Sequence, residues 1–287
     1  MTGPEKGFLL LTCHMGDPYR RPLTVAQFRE LALRVKHLSS KDRASQLQTQ
    51  DLMDIGYCRE TAQYIIGLLS QEAQLERYVQ AGERRGCVPI ARVSAAYPIK
   101  LKQCLKLESP GCLWAKGDLT LLQKPAIALV GSRDLQANNA AFAAQVGIQA
   151  ARQGYVLISG NARGADRTAQ DSCLAAGGQV ISVVADRLDC CPKNPNVLYL
   201  SEEGYDLDFT AARALSRNRV IHCLPQMTFV AQCTAGRGGT WSGTTKNLKN
   251  RWSPVFCLDD GSQGASQLFS LGAKPFDLRG LNDLSKL

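Results

Sequence analysis

Three stretches of the sequence set arginines among glycines and small hydroxyl residues. They are Val130-Gly131-Ser132-Arg133, Ser159-Gly160-Asn161-Ala162-Arg163-Gly164-Ala165-Asp166, and Gly236-Arg237-Gly238-Gly239-Thr240-Trp241-Ser242. Glycine admits positive φ and lets a backbone come close to a ligand. A helix that starts just after such a turn offers unpaired N–H groups and the positive end of its dipole. Together these features bind anions. Ser132, Ser159, Thr240 and Ser242 would add hydroxyl donors, and Arg133, Arg163 and Arg237 would add charge. A fourth stretch, Leu215-Ser216-Arg217-Asn218-Arg219-Val220-Ile221, puts two arginines around an asparagine. Guanidinium forks suit phosphate oxygens, and an asparagine can hold a loop or contact a base. Each motif also has a plain structural reading, as a glycine turn that ends a strand or as a solvated basic turn.

The surrounding pattern supplies the scaffold. Continuous apolar runs at 126–130, 155–158, 180–185, 227–231 and 255–258 alternate with helical patterning at 137–152, 165–176, 210–223, 244–250 and 265–271. Apolar strands separated by helices predict a mostly parallel sheet covered on both faces. Ligands of such sheets lie outside the carboxyl ends of the strands, where the glycine-rich turns fall. Residues 1–86 are instead helical in pattern. Thr24 is placed to cap a helix that carries Phe28, Leu31 and Val35 on one face, and Asp51 to Gly56 predicts a short helix closed by glycine. The turn at Leu52, Ile55 and Gly56 fits a helix-hairpin-helix module or an ordinary helix-to-helix turn. The fold class expected is α/β, preceded by a small helical domain, with divisions at 1–86, 87–277 and a tail at 278–287.

The 287 residues carry a formal charge of +9, which favours a polyanionic partner. The apolar run Phe8 to Leu11 is too short for a signal core and follows Glu5 and Lys6, so a cytoplasmic protein with no membrane partner is expected. Eleven cysteines without a repeating spacing, and three scattered histidines, predict reduced thiols, no metal and no cofactor. There is no GxxxxGK[ST] segment and no GxGxxG turn with an acidic partner, which disfavours phosphoryl transfer and a standard dinucleotide role.

Taken in order, these motifs resemble the DprA/Smf family of DNA-processing proteins. The resemblance rests on Ala96-Tyr97-Pro98-Ile99-Lys100-Leu101, Leu113-Trp114-Ala115-Lys116-Gly117, Val130 to Arg133, Ser159 to Asp166, Ser201-Glu202, Arg217-Asn218-Arg219 and Gly272-Ala273. It covers about residues 87–275 and implies an extended Rossmann-like domain. It also implies a non-enzymatic protein that binds and protects single-stranded DNA, helps load RecA recombinase in natural transformation, and forms a homodimer. By this resemblance Gly131, Ser132, Arg133, Ser159, Gly160, Arg163, Gly164, Arg217, Asn218, Arg219, Gly239 and Thr240 would bind DNA phosphate. Trp241 would stack on a base or sit in the core, and Asp166 would orient the Ser-Gly loop. Replacing Arg133 or Arg217 would weaken binding without loss of the fold.

The sequence departs from that pattern in places. Gln170 stands where the family has histidine, Gln232 where it has an acidic residue, and Gly238 to Ser242 replace its Ser-Gly loop. The winged helix of many members has no counterpart after Ala273. Two other functions use the same strand tips. One is a small-nucleotide sensor. The other is a nucleoside monophosphate hydrolase, with Glu202, Glu203 and Asp166 as candidate carboxylates.

Overall fold

The structure is a computed structural model and describes residues 1–17, 19–38 and 47–287. The chain forms two compact units. The first comprises Met1–Trp114 with Glu202–Leu207, and the second Ala115–Ser201 with Asp208–Leu287. The sequence-expected boundary at 86/87 thus falls inside the first unit.

The first unit is built on helices α1 (Gly3–Thr12), α2 (Val25–Arg34), α3 (Thr49–Asp54), α4 (Arg59–Leu69), α5 (Glu72–Arg84) and α6 (Ile99–Leu105), with the short strand β1 (Val88–Ala91). Thr24 and Gln27 form a capping box that starts α2, satisfying two N–H groups the first turn would otherwise leave open. Phe28 and Leu31 from α2, Leu52 from α3, and Ala62, Ile65 and Leu68 from α4 share one apolar core. Beside it Tyr78 stacks on Tyr205 at 4.4 Å between ring centroids, and Trp114 meets both edge-on. The turn after α3 is held by Arg34, whose guanidinium donates to the carbonyls of Ile55 and Gly56.

Strand β2 (Cys112–Lys116) leads into the second unit, which carries the sequence motifs. Its strands are β3 (Ala126–Val130), β4 (Val156–Ser159), β5 (Gln179–Val183), β6 (Val197–Glu202), β7 (Met227–Val230), β8 (Val255–Leu258) and β9 (Lys274–Phe276). Their order is β6-β5-β4-β3-β7-β8-β9, and every pair is parallel. The connecting helices are α7 (Ala137–Arg152), α8 (Ala165–Ala175), α9 (Ala211–Cys223), α10 (Gly238–Asn250) and α11 (Gln263–Ser270). This is the mostly parallel α/β architecture the alternating pattern predicts. β3 and β4 are buried along their whole length, which explains why they read as continuous rather than alternating apolar runs. Phe142, Phe229, Phe256 and Phe276 pack as one aromatic group between α7 and the sheet. Residues 278–287 dock rather than trail. Leu281 and Leu284 are buried, and Gln153 of α7 bonds the backbone of both.

The topology fixes where a ligand can sit. From β3 the chain runs to β4, β5 and β6 on one side, then returns to β7 on the other. The carboxyl ends of β3 and β7 therefore flank a switch point, the place where open parallel sheets leave a crevice.

Candidate functional site

Two glycines set how closely the strand tips approach. A Cβ on Gly131 would lie 2.5 Å from the Cβ of Ala165, so only glycine lets the end of β3 rest on the start of α8. Gly164 has φ +85°, and a Cβ there would lie 2.4 Å from the Arg133 carbonyl oxygen. Hydrogen bonds then join the loops. The Ser132 N–H donates to Gln232 at 2.9 Å, and the Ser132 carbonyl accepts from Ala165 at 3.1 Å. The Thr240 hydroxyl donates to the Gly131 carbonyl at 2.8 Å. Tips of β3, β4 and β7 are thus one assembly.

Asp166 and Arg217 brace this assembly from inside. The buried Asp166 carboxylate accepts from the N–H groups of Gly160 at 3.1 Å and Ala162 at 3.2 Å. Burial pushes its pKa up, and Arg217 and the two N–H groups pull it back. This is the orientation of the Ser-Gly loop that the resemblance implied for Asp166. Arg217 is also buried, and its guanidinium donates to the carbonyls of Gly160 and Val183, so it clasps the ends of β4 and β5. A Cβ on Gly160 would lie 2.6 Å from that guanidinium, so this glycine makes room for the clasp. Arg217 Nε donates to Asn218 Oδ1 at 3.2 Å, and Asn218 Nδ2 donates to the Gly239 carbonyl at 3.2 Å, tying α9 to the start of α10.

A cleft of about 720 Å³ opens between these elements. Gly131, Ser132 and Arg133 form one wall, the α10 start from Arg237 to Thr240 another, and Arg217 and Asn218 of α9 part of the floor. A smaller cavity of about 290 Å³ shares Arg133, Ala162, Phe209 and Arg217 with it and adds Gly160 and Arg163. Arg133 is exposed and makes no ion pair among the described residues. Arg163 pairs with Asp134 at 2.7 Å, but both are largely exposed, so the pair contributes little and yields readily to another anion. The Ser132 hydroxyl oxygen accepts from the Asp134 N–H at 3.3 Å, which leaves its own proton to donate. No side chain caps the first turn of α10, so its N–H groups and dipole face the cleft unmasked.

The structure brings ten of the fourteen sequence-selected residues to these cavities: Gly131, Ser132, Arg133, Gly160, Arg163, Asp166, Arg217, Asn218, Gly239 and Thr240. Ser159 is fully buried, its hydroxyl accepting from Gln170 Nε2 at 2.6 Å, so it offers nothing to a ligand. Gln170 also reaches the Ser182 hydroxyl at 3.3 Å and is a core residue here. Gly164 is consumed by packing. Arg219 lies off both walls because two residues along a helix turn about 200° from Arg217. Trp241 is half-buried and off both walls, since α10 begins at Gly238 rather than near Thr244 and turns its side chain away. Four cleft residues were not among those selected. Phe209 and Leu215 are 49% and 48% exposed at the rim, and His222 and Ile221 lie deeper. An apolar residue in the polar run before Arg217 was the available signal for Phe209. Among the described residues no group of three His, Cys, Asp or Glu side chains forms a metal site, and no helix is long and apolar enough to cross a membrane.

Fold and cleft together define a Rossmann-type α/β protein with an anion-binding crevice at its switch point. The family model for DNA recombination-mediator protein A matches residues 89–285, and the chain belongs to that family. It is 29% identical to DNA processing protein DprA of Streptococcus pneumoniae over 245 residues, 78% of this chain and 82% of that one. It is 34% identical to the Bacillus subtilis protein of the same name over 113 residues, 39% of this chain and 37% of that one. The X-ray structure of the S. pneumoniae protein superposes with a TM-score of 0.73 at 25% identity, covering 96% of this chain and 95% of that one. A Helicobacter pylori DNA processing protein A, described for its single-stranded DNA binding mode, superposes with a TM-score of 0.58 at 26% identity, over 70% of this chain and 96% of that one.

Proposed function

We propose that this protein is a DNA-processing protein that holds single-stranded DNA in the strand-tip cleft of its second unit. The observation that carries the reading is the pairing of an exposed, unpaired Arg133 with the uncapped start of α10 on the walls of one cleft. Phosphate contacts of this kind release counterions, so affinity falls steeply with salt. In this reading the protein protects incoming strands, assists a RecA-type recombinase and works as a homodimer. It acts by binding and not by catalysis. Membership of the family and the single-stranded DNA named for the H. pylori relative support the reading.

The test is fluorescence anisotropy of labelled oligo-dT, single- and double-stranded, over a salt series with mononucleotides as competitors. Tight, salt-sensitive preference for the single strand supports the reading. Retention of a mononucleotide with no polymer binding overturns it in favour of a nucleotide sensor or hydrolase, for which a cleft of about 720 Å³ is also large enough.

A further inference from the structure

His222 lines the cleft yet is only 1% exposed, which is unusual for a group with two ring nitrogens to satisfy. One is accounted for. Asn247 Nδ2 lies 3.1 Å from His222 Nδ1. The direction of that bond is fixed by the other end of the amide, because Asn247 Oδ1 accepts the Ser253 N–H at 2.9 Å. Nδ2 must therefore donate and Nδ1 must accept, which puts the ring proton on Nε2. Nε2 has no hydrogen-bond partner among the described residues. Gly243 leaves that side of the ring open, since a Cβ there would lie 2.9 Å from Nε2. Burial also holds the His222 pKa down at about 4, so the ring is neutral near pH 7.

A neutral N–H donor without a partner, on the wall of a cleft whose charged groups lie elsewhere, suits an uncharged acceptor better than a phosphate. Leu215 and Ile221 supply apolar surface on the same cleft, and Phe209 an aromatic face at the rim. Aromatic and apolar faces hold bases without regard to sequence. We propose that one nucleotide of the bound strand turns its base into the cleft, where His222 Nε2 donates to a carbonyl oxygen or ring nitrogen of that base. The inference rests on the proposed single-strand binding and adds a base subsite to it. The phosphate of the same nucleotide stays with Ser132, Arg133 and the α10 start.

The experiment compares oligo-dT with an abasic oligomer of the same length, each binding to wild type and to His222→Phe. Nitrogen-edited spectra of the wild-type imidazole are recorded in parallel. Phenylalanine keeps the ring volume, and Asn247 retains Ser253 Oγ as an acceptor at 3.0 Å, so the variant should fold. Loss of one net hydrogen bond lowers oligo-dT affinity about fivefold and leaves the abasic oligomer unaffected. In wild type the Nε2–H tautomer is present before binding, and its resonance moves with oligo-dT and not with the abasic oligomer. If oligo-dT binds but the Nε2 resonance stays still, or both oligomers weaken alike in the variant, the base subsite is overturned while single-strand binding stands. If neither oligomer binds to wild type, both readings fall.

Discussion

Arg133 and Arg217 carry the same charge on the same cleft, and replacing each with alanine should have opposite consequences. Arg217 donates from inside to the carbonyls of Gly160 and Val183 and stands near the buried Asp166 carboxylate. Its loss leaves two buried acceptors without those donors, at about 1–3 kcal/mol each, and an uncompensated buried carboxylate. Stability should fall by about 3–5 kcal/mol, the range seen when a buried pair is broken. Arg133 is exposed and unpaired, so its loss should change stability by less than about 0.5 kcal/mol. DNA binding should show the reverse clarity. Losing one phosphate contact lowers the salt slope by about 0.7 for a single strand, so across a fourfold rise in salt the wild-type advantage over Arg133→Ala shrinks about two- to threefold. Urea denaturation followed by circular dichroism reads the first quantity, and anisotropy at several salt concentrations the second. An Arg217→Ala protein as stable as wild type would refute the clasp. An Arg133→Ala protein with an unchanged slope would remove Arg133 from the phosphate contacts.

Further outcomes follow from the same geometry. His222 titrates at about 4 in the fold and at about 6.5 when unfolded, so protonation favours the unfolded chain, and stability is lost as pH falls from about 6.5 towards 4. The full loss is about 3 kcal/mol, and His222→Phe should remove that part of the pH dependence in acid-titrated urea melts. Gly164→Ala meets both a positive φ and the Ser132 and Arg133 carbonyls, and should cost more than about 2 kcal/mol, seen as a lowered melting temperature or loss of soluble protein. Gln170→Ala removes the donor to the Ser159 and Ser182 hydroxyls, both fully buried, and should cost about 1–3 kcal/mol in the same melts while leaving the cleft's charged groups in place.

The parallel sheet was legible because β3, β4, β5, β7 and β8 are buried on both faces and so read as unbroken apolar runs. Strand β6 was not read as a strand, since Val197-Leu198-Tyr199-Leu200 is a short run with no helix pattern on either side. The start of α10 was misplaced for a local reason. Gly238 and Gly239 are poor helix formers, and what holds them in the first turn is tertiary: Thr240 bonding Gly131 and Asn218 bonding Gly239. The site was legible in its charge and glycines, because those residues have few other uses at a strand tip. Burial was not legible. Arg133, Arg217 and Arg219 look alike in sequence, and only the register of α9 and the reach to Gly160 separate a ligand contact from an internal clasp. His222 was passed over because a lone histidine carries no pattern until Asn247 and Ser253 fix its proton.

The pairing of β3 with β7 has a consequence for how the protein is made. Ile127 sits beside Met227, and α10 follows later still. During synthesis, β3 to β6 and the loops carrying Arg133 and Asp166 leave the ribosome well before the strand and helix that complete the cleft. Early chains thus display basic loop residues but lack the α10 start. The cleft exists only once the second half of the sheet has closed against the first, a long-range step that contact order makes slow. A growing chain is therefore spared from gripping a polyanion at half strength while it is still tethered and unfinished.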